Sequence, residues 1–273
     1  MPATKPASQY SDQFNAALQW MWGDGYLAPG GPEEVEEMLS GLSVKDADVI
    51  DVGCGLGAIA VLLVHKYGAR SVVGVDVEAH LIEQSTDRAI KENLADRVRF
   101  ELVEPGPLPL DDECLDVVFS KDAIVHMTDK VAFYKEAMRV LRPGGLMIGS
   151  DWLRGDESTR TADAQKWLDF IHLDFKMLDI ESTRDVILSV GFEKVSLKDR
   201  NEWYRHEINT EISALEGEKF DGLIDLIGEK EATYRKESSR LKKKAIDDGH
   251  HGYVLANGTL ECREAVSRKI KVL

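Results

Sequence analysis

"VIDVGCGLGAIAVLLV", residues 49–64, joins an apolar run to a helical one through a turn carrying Gly53, Gly55 and Gly57. Glycine has no Cβ, so such a turn bends sharply and brings backbone close to a ligand. Outward from this stretch, the apolar runs "VIDV", "SVVGVDV", "VRFELV", "LDVVFS" and "GLMIGSDW" alternate with helical segments from Ala58, Ala79, Lys130 and about Ala162. That alternation implies a mainly parallel sheet with helices on both faces, because strands covered on both sides read as near-continuous apolar runs. The expected fold is α/β and doubly wound. "LRPGGLMIG" adds a helix end, a Pro-Gly-Gly turn and a strand. In open parallel sheets ligands gather at the carboxyl ends of the strands near the switch point, which places the glycine turn where a cofactor would sit.

The flanks are helical. Residues 1–8 are rich in Pro, Ala, Ser and Lys, and "SDQFNAALQWMW" opens a helix with Ser11 or Asp12 as N-cap. Phe14, Leu18, Met21 and Trp22 share one face of it, and the stripe Trp20, Met21 and Trp22 reads as helix packing. "GDGYLAPGGP" is a loop and "EEVEEMLSGL" a second short helix. After Gly191, "FEKVSLKDR" reads as a strand, residues 206–247 as charged and helical, and "GYVLANG" as a late strand. The expected layout is a pair of N-terminal helices over residues 1–40, a domain over 41–258 with a helical insertion at 206–247, and a tail at 259–273.

Composition narrows the partners. The 273 residues carry 34 basic and 49 acidic side chains, a formal charge of -15. Such a field repels nucleic acid and anionic membrane and favours a small cationic or zwitterionic ligand, while solubility or salt adaptation accounts for it equally well. Cys54, Cys114 and Cys262 are odd in number and widely spaced, so neither a disulfide framework nor a zinc spacing is expected. No apolar leader and no run near the ~20 residues of a membrane helix is present, so a soluble cytoplasmic protein is expected. His250 and His251 lack companion ligands, so no metal is expected, and Cys54 has no base to activate it.

"GCGLGA" fits G-x-G-x-G rather than the dinucleotide spacing G-x-G-x-x-G. Asp51 stands two residues before it, Asp76 closes the second strand, and Glu104 lies just past the third. A carboxylate at the end of the second strand is placed to accept hydrogen bonds from both ribose hydroxyls. Taken in order, "VIDVGCGLG", "VVGVDV", "FSKDAIVHM" and "LRPGGLMIGSDW" resemble the motif set of class I S-adenosylmethionine-dependent methyltransferases, over about residues 45–155. The resemblance implies a Rossmann-like seven-stranded sheet with an N-terminal helical lid and S-adenosylmethionine as cofactor. It puts Gly53, Gly55 and Gly57 at the methionyl part, Asp76 at the ribose and Glu104 near the adenine, where the family more often has Asp. Tyr26, Asp51, Val77 and Lys121 complete the implied cofactor site.

A narrower resemblance extends across most of the chain. "QYSDQFNAALQWMWGDGYLAPGG", "SKDAIVHMTDK" and "HHGYVLANG" are similar to the phosphoethanolamine N-methyltransferases. This implies Gln9 and Tyr10 near an amine, His126 partnering the tyrosine, and Asp122 facing a positively charged acceptor. A Tyr-His pair can relay the proton an ammonium must lose before it attacks. The family's phosphate-binding tyrosines, arginine and lysine align here with Trp152, Asp169, Leu173, Phe175 and Arg240. That loss of donors disfavours a dianion. Arg240 either meets a carboxylate, opposite Asp169 or Asp122 at an ammonium, or is a surface helix residue beside the lysines at 242–244. The expected acceptor is a small amine or amino-acid-like zwitterion, with N-methylation ahead of S-methylation of a thioether such as methionine and of phosphoethanolamine itself. A nucleic-acid methyltransferase, a cofactor sensor without turnover and a nicotinamide oxidoreductase are the competing classes.

Overall fold

The computed structural model describes residues 10–155, 162–172 and 175–247, and the backbone of 251–255. Gln9, Leu173, His250 and Cys262 lie outside the described residues. In chain order the elements are α1 (Asp12–Trp22), α2 (Gly31–Met38), β1 (Asp48–Val52), α3 (Ala58–His65), β2 (Ser71–Asp76), α4 (Ala79–Lys91), β3 (Val98–Leu102), β4 (Leu115–Lys121), α5 (Lys130–Val140) and β5 (Leu141–Arg154). They continue as α6 (Ala162–Ile171), α7 (Ile180–Ser189), β6 (Lys198–Asp199), α8 (Asn201–Glu216), α9 (Lys219–Ile227), α10 (Glu229–Asp247) and β7 (His251–Leu255).

The strands lie in the order β3-β2-β1-β4-β5-β7-β6. The first five run parallel, and β7 pairs antiparallel with β5. Chain order reverses between β1 and β4, so the loops after these two strands open on the same crevice. Alternate side chains of one strand feed opposite layers. Val49, Val117 and Phe119 join the core under α2, α3 and α4, whereas Ile50, Val52 and Val118 join the one built with α5 and α7.

Ser11 caps α1, its hydroxyl accepting from the Phe14 amide at 3.2 Å. Three expectations change in detail. The Pro-Gly-Gly turn is absorbed inside β5 as a register shift, with Leu115 opposite Leu141 but Val117 opposite Leu146. "FEKVSLKDR" contributes only the two-residue β6, because Val195 and Leu197 turn inward onto the core instead of pairing at the sheet edge. The helical insertion starts at Asn201 and is three helices, interrupted at Gly217 and at Gly228, whose φ of +85° suits glycine.

The glycine turn is sterically committed. Gly53 has φ +78°, and a Cβ there would lie 2.2 Å from the Cβ of Ala123 in the loop after β4. Left-handed backbone and overpacking add, so Gly53→Ala should lose roughly 3 kcal/mol of stability. The urea unfolding midpoint measures this, and an unchanged midpoint would show that the two loops part without cost.

Candidate active site

The crevice is a cavity of about 1010 Å³ running from the glycine turn to the α8–α10 helices. At one end β1 delivers Gly53 and Gly55, and β2 delivers Asp76 and Val77, with Glu104 from the loop after β3. The turn is held by hydrogen bonds from the Gly53 and Cys54 amides to the Val75 carbonyl at 2.8 and 3.1 Å. Asp76 accepts from the Gly55 amide at 3.0 Å and the Glu78 amide at 3.1 Å, two of the roughly four lone-pair positions a carboxylate offers. Burial raises its pKa above the usual carboxylate value even so. Asp51, next to last in β1, is buried and does not line the cavity, and its Oδ2 has no hydrogen-bond partner among the described residues. Burial, with the charge of Asp76 beside it, pushes its carboxyl up to about 7. Cys54 is buried and its thiol is pushed well up by desolvation, which makes it a poor nucleophile.

In the middle of the cavity, the chain turns through Asp122 in the left-handed conformation, φ +57°. Asp accepts this conformation more readily than most residues, and such turns collect at functional sites. The turn sets the Asp122 carboxylate, 8 % exposed, 2.8 Å from Lys121 Nζ, 1 % exposed. Lys121 also donates to the Pro29 carbonyl at 2.9 Å, tying the loop before α2 to the end of β4.

The 3₁₀ turn Ile124–His126 follows. His126 Nε2 lies 3.2 Å from the Tyr10 hydroxyl, and its ring meets the edge of Phe175 with centroids 5.2 Å apart. Burial, aided by the Lys130 ammonium, lowers the His126 pKa. Burial and the surrounding carboxylates, Asp122 foremost, raise that of Tyr10. The imidazole is therefore biased neutral and the phenol protonated. Lys130 sits beneath this turn, donating to the carbonyls of Ile124 and Met127, the latter at 3.1 Å. Asp151 is buried nearby, with burial raising its pKa and Lys130 opposing that rise.

Most of the residues named from sequence reach the cavity. Tyr10, Gly53, Gly55, Asp76, Val77, Glu104, Lys121, Asp122, His126, Trp152 and Phe175 all line it. Gly57 instead begins α3, where a Cβ would meet Phe100 at 2.6 Å, and Tyr26 is half-buried against the core beneath α2 and α3. Asp169 and Arg240 do not reach it. Asp169 is exposed and accepts from Gln165 at 2.7 Å, while Trp167 and Ile171 on another face of α6 line the cavity. Arg240, 47 % exposed, pairs with Glu216 at 2.7 Å. The face of α10 on the cavity is Arg235, Ser238, Ser239 and Lys242, the i, i+3, i+4, i+7 spacing of one helical stripe, which turns residue 240 away. Phe14, Leu18, Met21 and Trp22 of α1 line the cavity too, as do Ala17 and Trp20, so this stripe faces the ligand space as well as the neighbouring helices.

Lys130, Asp151, Trp167, Glu211 and Lys242 were not expected at or beside the site from the sequence. Asp151 had a signal, a carboxylate inside an apolar strand. The two lysines had none, since each sits among ordinary charged helix residues.

Comparison with known proteins identifies the family of the fold. The methyltransferase domain model matches residues 43–181. Phosphoethanolamine N-methyltransferase 1 of Arabidopsis thaliana is 27 % identical over 91 % of this chain and 50 % of its own length. Methyltransferase GfsG of Streptomyces halstedii is 30 % identical over 92 % of this chain and 93 % of its own. Phosphoethanolamine N-methyltransferase 2 of Haemonchus contortus, solved with phosphomonomethylethanolamine and S-adenosylhomocysteine, superposes with a TM-score of 0.83 at 21 % identity, over 90 % of this chain and 57 % of that one. The chain spans about half the length of the plant relatives it matches. With the domain model covering half of its residues and a relative 30 % identical over nearly the full length of both chains, the chain belongs to the methyltransferase domain family.

Proposed function

We propose that this methyltransferase, whose methyl donor is S-adenosylmethionine, acts on the nitrogen of a small amine held against Asp122. The observation that carries the reading is the Tyr10–His126 pair at 3.2 Å, beside a buried carboxylate in the same cavity as the glycine turn. When bound, S-adenosylmethionine supplies an electrophilic methyl group on a sulfonium. The residues present suit it. Gly53 and Gly55 leave room for its methionyl part, Asp76 retains lone pairs for ribose hydroxyls, and Val77 and Glu104 would meet the adenine, while Asp51, with an unpartnered oxygen, lies buried behind the glycine turn.

The remaining work falls to the acceptor side. Asp122 orients the amine and offsets its positive charge, with Lys121 fixing the carboxylate. The neutral His126 receives a proton from the Tyr10 hydroxyl as that hydroxyl takes one from the amine, leaving the nitrogen lone pair free. Positioning of donor and nucleophile in near-attack geometry supplies the larger share of the acceleration. Helices α1 and α2, tied down through Lys121 to Pro29 and Arg88 to Asp24, act as a lid that keeps water out. Residues 206–247 then serve as the insertion that walls the acceptor end of the domain over 41–258. A thioether has no proton to lose and would leave the Tyr-His pair without one to move, so N-methylation fits the site better than S-methylation. With Arg240 turned away, a carboxylate of an amino acid would have to meet Arg235 or Lys242, which are paired with Glu231 and Glu211.

A second reading, phosphoethanolamine as acceptor, is favoured by the relatives' names and by Arg235, Ser239 and Lys242 on the cavity. The test is product mass after incubation with S-adenosylmethionine and, separately, phosphoethanolamine, ethanolamine, longer primary amines, glycine, sarcosine and methionine. Methylated amine is the expected product. Turnover of phosphoethanolamine alone would establish the second reading, and product from methionine alone would overturn both.

A further inference from the structure

The acceptor end of the cavity is larger and less polar than a two-carbon amine needs. Beyond the Tyr10–His126 pair, the space continues between Trp20 and Met21 of α1, Trp167 and Ile171 of α6, Leu215 of α8 and Leu223 of α9. The whole cavity, about 1010 Å³, holds this chamber and the donor site together, and at the chamber end its walls are aromatic and aliphatic side chains. Among the described residues, the two cations facing this chamber, Lys242 and Arg235, are already matched. Lys242 lies 2.9 Å from Glu211, whose other oxygen accepts from Ser239. The Arg235 guanidinium bonds Glu231 and lies over the Phe14 ring, 4.1 Å from its centroid. A phosphate or carboxylate would have to draw these cations off their partners. That would leave the buried Glu211 charge uncompensated, a costly state in a low-dielectric wall.

We infer that the acceptor is an amine carrying an uncharged apolar body, seated in the chamber between α1, α6, α8 and α9, rather than one carrying an anionic head group. This rests on the amine reading above. The amine end meets Asp122 and the Tyr-His pair, and the body displaces water from the aromatic and aliphatic walls, which is favourable in proportion to the apolar area covered.

The test is calorimetric binding to the protein loaded with S-adenosylhomocysteine, with primary alkylamines from butylamine to octylamine and with phosphoethanolamine. Affinity is expected to rise about fourfold per methylene, with phosphoethanolamine weaker than any of the series. Met21→Gln, at a half-buried position, and Leu223→Asn should each flatten that rise while S-adenosylhomocysteine affinity stays unchanged. A flat series, a rise that both variants leave intact, or phosphoethanolamine binding tighter than octylamine would overturn the inference. Methyl transfer is followed in parallel and answers a different question. Amines that bind with the expected increments but gain no methyl group would sink the amine reading and leave the apolar chamber standing.

Discussion

His126→Ala should lower kcat by about 10²–10⁴-fold while S-adenosylmethionine affinity stays near that of the native protein. The imidazole lies 3.2 Å from the Tyr10 hydroxyl, in the 3₁₀ turn after β4 rather than in the glycine turn. Tyr10→Phe should cost a similar factor, because the phenol and the imidazole move the proton together. The double variant should then be little worse than either single one, the non-additivity of residues that act as a unit. Burial lowers the His126 pKa, so the acid limb of kcat against pH should fall below the ordinary histidine value of about 6.5. In His126→Ala that limb should vanish. Native kcat in both single variants, measured with saturating donor and acceptor, would remove the pair from the mechanism.

The second large effect concerns Asp51, whose buried carboxyl opposes folding as pH rises. Its carboxyl titrates at about 7 in the folded chain, through burial first and the Asp76 charge second, against about 3.9 when unfolded. Below pH 3.9 both states hold the proton and the side chain contributes no penalty. As pH rises from there, the unfolded chain releases its proton while the folded one keeps it, so folding is progressively disfavoured. Above pH 7 the loss is complete and amounts to something on the order of 4 kcal/mol. Asp51→Asn removes the charge and keeps the shape. Its urea midpoint should therefore exceed that of the native protein at pH 8, and the difference should shrink towards pH 5. A midpoint at or below native at pH 8 would show that Asp51 is already paired and ionised in the fold.

Both effects depend on positions that the linear pattern distinguishes to different degrees. Asp76 was legible because it ends a short apolar run, and the last residue of a strand in such a sheet opens on the crevice, whereas Asp51, one residue short of the end of β1, stays buried behind it. Tyr10 and His126, far apart in the chain, were legible only through resemblance, since no periodicity connects an N-terminal helix with the loop after β4. Asp169 and Arg240, expected at the site, lie off the cavity on helices α6 and α10. A one- or two-residue offset on a helix rotates a side chain by 100° or 200°, enough to exchange the cavity face for solvent.

By itself the sequence determined the alternating α/β order, the helix starts at Ala58, Ala79, Lys130 and Ala162, the tight glycine turn and the strand-end carboxylate Asp76. All of these follow from local rules of strand burial, helix spacing and backbone freedom. Tertiary structure alone decided which stripe of α10 meets the cavity, that Lys130 holds the His126 turn from below, and that the end of the cavity between α1, α6, α8 and α9 has apolar walls. Each of those outcomes depends on which surfaces pack against one another across long stretches of chain, and a helix carries no mark of its partner until that partner is in place.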